Sequence, residues 1–224
     1  MLDVLYEWPA AARVSLRVPK EKIYQQTKVP PSVKTLFVEQ VERIEWSYKL
    51  SPKSTNLPAS KAIPEFQVFT VVLKDCELDF KVLAAIDAAV SQPVLFEVVR
   101  SSGAGTQTQL LATFKVYGAE SGKPRSYFCS EWVAGNMPRR QLPVAVSLDA
   151  LYTQILSQLS EIPISPSETP RQSAARLAKI DALSADIASL NRRIKSETQF
   201  KKKFALRGQL DAKKSELKSL TERA

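Results

Sequence analysis

The chain has 224 residues, 44% of them apolar, a composition that supports a packed core and excludes a disordered or low-complexity protein. It contains no histidine, which removes Ser-His-Asp and Cys-His catalysis, the common zinc enzymes and any histidine base. The net charge of +9 is unevenly placed: residues 171–224 hold 14 Lys or Arg against 6 Asp or Glu, which is +8 of that total.

Further exclusions follow from smaller counts. Cys76 and Cys129 are the two cysteines; they lie far apart, form no C-x-x-C pair, and fit a reducing compartment better than a disulfide scaffold. None of the six glycines falls in a dinucleotide or P-loop frame, so no cofactor is expected. Met1–Trp8 carries acids where a secretory signal needs a basic start and an apolar run. No stretch approaches the roughly eighteen apolar residues of a membrane helix. A cytoplasmic protein without a metal site is the expectation.

Along the chain, Arg13–Val18 alternates apolar and polar residues, the pattern of a half-buried strand closed by Pro19. Pro30-Pro31-Ser32 opens a helix whose inner face is read through Val33, Phe37, Val41, Ile44 and Tyr48, ending at Ser51-Pro52. Phe66–Leu73 is rich in aromatic and β-branched residues and suits a central strand. Asp79 caps the next helix, with Leu83, Ile86 and Val90 facing inward. Strands are predicted at Val94–Val99, Leu110–Tyr117 and Tyr127–Val133, with turns at Ser101–Thr106 and Gly122–Pro124. Ser147 or Asp149 starts a last helix carrying Leu148, Leu151, Ile155 and Leu159. This order predicts an α/β sandwich with a mixed sheet over residues 1–160. A proline-rich linker, 161–170, follows.

Residues 171–224 are read as a basic helical coiled-coil hairpin, or one long helix with a stutter. Leu177, Ile180, Leu183, Ile187, Leu190 and Ile194 recur at steps of three and four, and Leu206, Leu210, Leu217 and Leu220 resume the rhythm. Such a narrow stripe must pair with itself, a second copy or a partner. Leu177, Ile180, Ile187, Leu190, Ile194, Leu210 and Leu217 are therefore candidate partner-binding residues. Arg192, Arg193, Lys195, Lys201, Lys202, Lys203 and Arg207 crowd the break between the two runs and are candidate nucleic-acid contacts. A solvated coiled-coil face and an acidic protein partner are the competing readings. Phe200 and Phe204 flank the lysines, either to stack on bases or to pack the turn. The stripe lacks the Trp or Phe face of an interfacial helix, so no membrane contact is expected.

One catalytic pattern needs no histidine. Pro64-Glu65 followed by Asp79-Phe80-Lys81 has the residue order of restriction-type metal-dependent nucleases, with Glu65, Asp79 and Lys81 as candidate catalytic residues and Glu97 as a further ligand. Against it, Asp79 reads as a helix cap and Lys81 as a surface residue.

Five strings together carry a resemblance: Arg17-Val18-Pro19-Lys20, Phe37-Val38-Glu39-Gln40-Val41, Trp46-Ser47-Tyr48-Lys49-Leu50-Ser51-Pro52, Glu77-Leu78-Asp79 and Gln199-Phe200-Lys201-Lys202-Lys203. Their combination resembles the bacterial family catalogued as domain of unknown function 4391, over nearly the whole chain. The resemblance implies genes set beside DNA helicases and DNA methyltransferases in restriction-like or phage-defence clusters, and it carries no catalytic motif. A non-catalytic accessory subunit is the expectation, with a helicase or methyltransferase subunit and DNA as partners. A metal-dependent nuclease and an adaptor that self-pairs into a homo-oligomer through the tail are the alternatives.

Overall fold

The computed structural model describes residues 5–75, 77–103, 105–116, 127–160, 162, 164 and 168–222. It divides into two compact units, Met1–Glu161 and Ile162–Ala224.

The first unit is built on a seven-stranded mixed sheet. A 3-10 turn at Ala10–Ala12 leads into β1 (Arg13–Arg17), α1 (Lys20–Gln26), α2 (Pro31–Gln40), β2 (Val41–Leu50) and the short α3 (Pro52–Thr55). Then come β3 (Phe66–Leu73), α4 (Phe80–Ala89), β4 (Val94–Ser102), β5 (Gly105–Ala112), β6 (Phe128–Cys129), β7 (Val133–Ala134) and α5 (Leu148–Leu159). The strand order is β1-β2-β3-β4-β5-β6, with β7 also on β5. Only β3 and β4 run parallel, and α4 supplies the crossover that a parallel pair requires. Gly105, at φ 111°, takes the left-handed conformation where the β4–β5 hairpin resumes pairing opposite Ser102.

Alternation along β3 divides its side chains between two layers. Phe69, Val71 and Leu73 join Phe96 and Val98 of β4 under Ile23, Val33, Phe37, Val82, Leu83 and Ile86 of α1, α2 and α4. On the opposite face Phe66 meets Tyr152 of α5, and the Tyr6 hydroxyl donates to Gln158 of the same helix. Helices thus cover both faces of the sheet.

Two of these helices end in an unusual way. α2 and α4 pass directly into extended residues, Val41 and Val90, with no glycine to turn the chain. Lysines satisfy the carbonyls left open. Lys20 Nζ donates to the oxygens of Phe37 and Val41 at 2.7 and 2.6 Å, and Lys74 Nζ to that of Val38 at 2.7 Å. Lys115 Nζ, buried, donates to the carbonyl of Asp87 at 2.5 Å and to that of Val90, and pairs with the Asp87 carboxylate at 3.4 Å. An ammonium at a helix C-terminus also suits the negative end of the helix dipole.

Several expectations are corrected. The helix read through Val41, Ile44 and Tyr48 stops at Gln40, and Val41–Leu50 is a strand. Register shifts between Val41 and Arg43 and between Trp46 and Tyr48 put Val41, Ile44, Ser47 and Leu50 inside, a spacing of three that imitates a helical face. β1 is an exposed edge strand rather than a half-buried one, because Ser15, at φ 55°, breaks its alternation. β5 begins five residues earlier than read, and the strand expected at Tyr127–Val133 is two short ones. The Gly122–Pro124 turn lies outside the described residues. The cap at Asp79 is as read, and of Ser147 and Asp149 it is Ser147 that caps α5: each capping side chain accepts from a backbone N–H of its helix's first turn.

The second unit holds α6 (Pro170–Ser196) and α7 (Phe200–Thr221). Thr169 and Gln172 form a capping box at the start of α6, and Pro170 takes its first position, so the helix begins inside the stretch read as linker. Much of that stretch lies outside the described residues. Lys179 pairs with Glu216 at 2.6 Å, Lys213 with Asp186 at 2.6 Å, and Arg176 donates to the Leu220 carbonyl at 3.1 Å. These contacts make the two helices antiparallel neighbours. Leu190, Leu206 and Leu210 pack together, with Ile187 and Ile194 against them.

Removing Lys115 strands a buried carboxylate and two carbonyls. Lys115→Met should lower stability by about 3–5 kcal/mol, read by denaturant unfolding of the intact chain. Burial pushes the Asp87 carboxyl up to about 6, the Lys115 ammonium only partly opposing it. A folded pKa above the unfolded value favours the folded state at low pH, so this contribution is full below about pH 4 and is lost as pH rises through about 6. Asp87→Asn should flatten that part of the pH–stability curve.

Candidate functional site

The densest charge in the chain sits where α6 turns into α7. Arg192, Arg193 and Lys195 occupy the last turns of α6, Glu197–Gln199 connect, and Lys201, Lys202, Lys203 and Arg207 lie in the first two turns of α7. Six of the seven are exposed and Lys203 is half-buried. Among the described residues, none of the seven side chains is in an ion pair or a hydrogen bond. Elsewhere on the same helices four of the six other cations are matched: Arg176 with Glu168 at 2.8 Å, Lys179 with Glu216, Lys213 with Asp186 and Lys218 with Glu222. Acids are thus spent along the helix pair and almost absent at its turn.

That arrangement costs the fold something. Three lysines with no acid in the first turn of α7 oppose the positive end of the helix dipole, and like charges one turn apart repel. Phe200 and Phe204 do not pack the turn; they stand 82% and 72% exposed. The residues expected to bind a partner are largely occupied within the chain. Leu177, Ile180, Leu190 and Leu210 are buried, and Ile187, Ile194 and Leu217 partly so.

The nuclease residues do not converge. Glu65 precedes β3, where it holds Lys49 at 2.8 Å and accepts from Gln67 at 2.9 Å. Asp79 lies past the other end of β3, roughly 20 Å away along the strand. There its carboxylate accepts from the backbone N–H and the ammonium of Lys81 at 2.9 and 3.1 Å. The backbone N–H bond is the chief reason its pKa lies below the usual carboxylate range. Among the described residues no group of three or more Cys, Asp or Glu could hold a metal ion.

Glu97 is not at a sheet edge but buried in β4. It takes both guanidinium nitrogens of Arg139, at 2.6 and 2.9 Å, and the indole N–H of Trp8 at 2.7 Å. Arg139 also donates to the Tyr6 carbonyl at 2.8 Å, so the cluster ties the N-terminal segment and the 139–141 segment to the sheet. With its oxygens engaged this way, Glu97 serves as a structural tie. The sequence carried one hint of it: a lone acid inside a Val-rich strand needs a buried partner.

A cleft of about 510 Å³ on the α4 side is lined in part by Gln40, Glu77, Asp79, Phe80, Arg100 and Trp132, with the Arg100 guanidinium 3.9 Å from the Trp132 ring. Cys129 is half-buried, and burial raises its thiol to about 11, too high for a nucleophile at neutral pH. Cys76 lies outside the described residues. Glu97→Ala should destabilise the intact chain by about 3–5 kcal/mol, since Arg139 and the Trp8 N–H lose their acceptor; Glu97→Gln, which keeps one acceptor, should cost less in the same thermal melts.

No curated protein and no solved structure matches the chain. A family model does, over residues 7–217, which takes in the sheet, α6 and nearly all of α7. By that match the chain belongs to the family described as domain of unknown function DUF4391.

Proposed function

We propose that this chain is a non-catalytic accessory subunit of a DNA-processing complex. In this reading α6 and α7 are a basic coiled-coil hairpin whose turn grips nucleic-acid phosphates. The sheet unit docks on a larger protein, a helicase or methyltransferase subunit of a restriction-like or phage-defence system. One observation carries the phosphate reading: seven clustered cations without ion pairs at the turn, on helices whose other cations are largely paired. A merely solvated surface gains from mixing signs, whereas a polyanion site needs one sign left open. The DNA-processing context comes from the family resemblance. The separation of Glu65 from Asp79 and Lys81 favours holding over cutting, and burial of the apolar stripe within the chain weighs against a self-pairing adaptor.

Each cation that neutralises a phosphate releases counterions, so binding should weaken steeply with salt. Labelled duplex DNA titrated with the full chain across a salt series should give a linear log–log plot. Lys201→Glu/Lys202→Glu/Lys203→Glu should flatten its slope by about 2–3, whereas Lys218→Gln, on the distal part of α7, should leave it nearly unchanged. A wild-type chain that ignores DNA and RNA at low salt would end the phosphate reading and point to an acidic protein surface. DNA left intact with Mg²⁺ or Mn²⁺ present is the expected companion result.

A further inference from the structure

Resting on that phosphate reading, we infer that the turn between α6 and α7 recognises unpaired nucleic-acid strands, seating two bases on the rings of Phe200 and Phe204. The two phenylalanines are four residues apart in α7, on one helix face with a rise of about 6 Å between them. Both rings are among the most exposed large apolar side chains of the chain. Neither belongs to the apolar cluster of the pair, which is made by Leu190, Leu206 and Leu210. Each is followed three residues later by a cation on the adjoining face: Phe200 by Lys203, Phe204 by Arg207. A ring beside a positive charge, repeated one helical turn on, calls for a ligand that offers flat apolar faces and regularly spaced anions together.

Single-stranded DNA or RNA has that chemistry. Its bases expose their π-faces, and its phosphates follow one another along the chain. Duplex bases are stacked at about 3.4 Å and have no free face for a ring, while ring-bearing positions about 6 Å apart in helix rise suit bases drawn away from each other. An acidic peptide has the charge without the flat faces. An anionic bilayer offers charge and an apolar interior without flat faces, and takes up a broad apolar helix face, whereas the Leu206 and Leu210 face of α7 is buried.

The test uses the full chain, with labelled oligo-dT, oligo-U, a DNA duplex and vesicles containing anionic lipid. Two double variants are compared, Phe200→Ala/Phe204→Ala and Phe200→Leu/Phe204→Leu; the second keeps apolar bulk and removes the π-face. Far-UV circular dichroism checks that both retain their helices. The expected result is a single-strand affinity lowered about tenfold or more by both variants, with duplex binding within about twofold of wild type. Unchanged single-strand binding by the variants would overturn the inference while leaving the phosphate reading intact, as would vesicle binding that Leu preserves and Ala abolishes. Loss of all nucleic-acid binding in the wild-type chain would remove the phosphate reading and this inference with it.

Discussion

The sheet unit depends on how two helices are allowed to end. α2 and α4 each reach the rim of the sheet and must pass at once into extended chain, and neither has a glycine there. Their last carbonyls would be left open, close to apolar residues, where unmet acceptors are costly. Lys20, Lys74 and Lys115 reach in from other parts of the chain and supply the missing donors. A flexible stem with three donors suits this task, because one ammonium can serve two carbonyls that point in different directions. The arrangement also fixes connectivity. Lys20 begins α1, Lys74 follows β3, and Lys115 follows β5, so each helix end is held in part by a lysine from beyond its neighbouring elements in sequence: Lys74 for α2 and Lys115 for α4.

Lysine therefore has two opposite uses in this protein. In the sheet unit three lysines are matched to helix carbonyls, Lys115 buried, Lys20 half-buried and Lys74 at the surface. In the helix pair it is matched to acids along most of the length and then left unmatched at one end. Exposed ion pairs add little stability one by one, so the pairing along the helices matters less for its energy than for where it places the acids. Each acid engaged there is unavailable to neutralise the turn.

Local signals in the chain were legible and long-range ones were not. Asp79 and Ser147 announced their helices because capping is a matter of neighbouring residues. The β3 strand declared itself through its aromatic and β-branched content, and the two tail runs through their spacing. Strand β2 misled because its bulges re-set the pleat and returned the buried side every third residue. The partners of Glu97 and of Lys115 could not be read at all, since Arg139 and Asp87 are brought to them by the sheet and not by spacing. Of the candidate site, the cationic cluster was plain in sequence, whereas the openness of Phe200 and Phe204 required the helix pair to be placed.

α6 is 27 residues long, which at 1.5 Å per residue is about 40 Å of rigid rod, and α7 braces it along most of that length. Whatever is held at the turn is therefore kept at a set distance from the capping box at Thr169. A bond made at one end of such a strut is felt at the other as leverage, so a modest force at the turn becomes a large torque at the root of the helix. Insertions of a few residues in α6 alone would break the match with α7, while equal insertions in both would lengthen the rod and leave its turn unchanged.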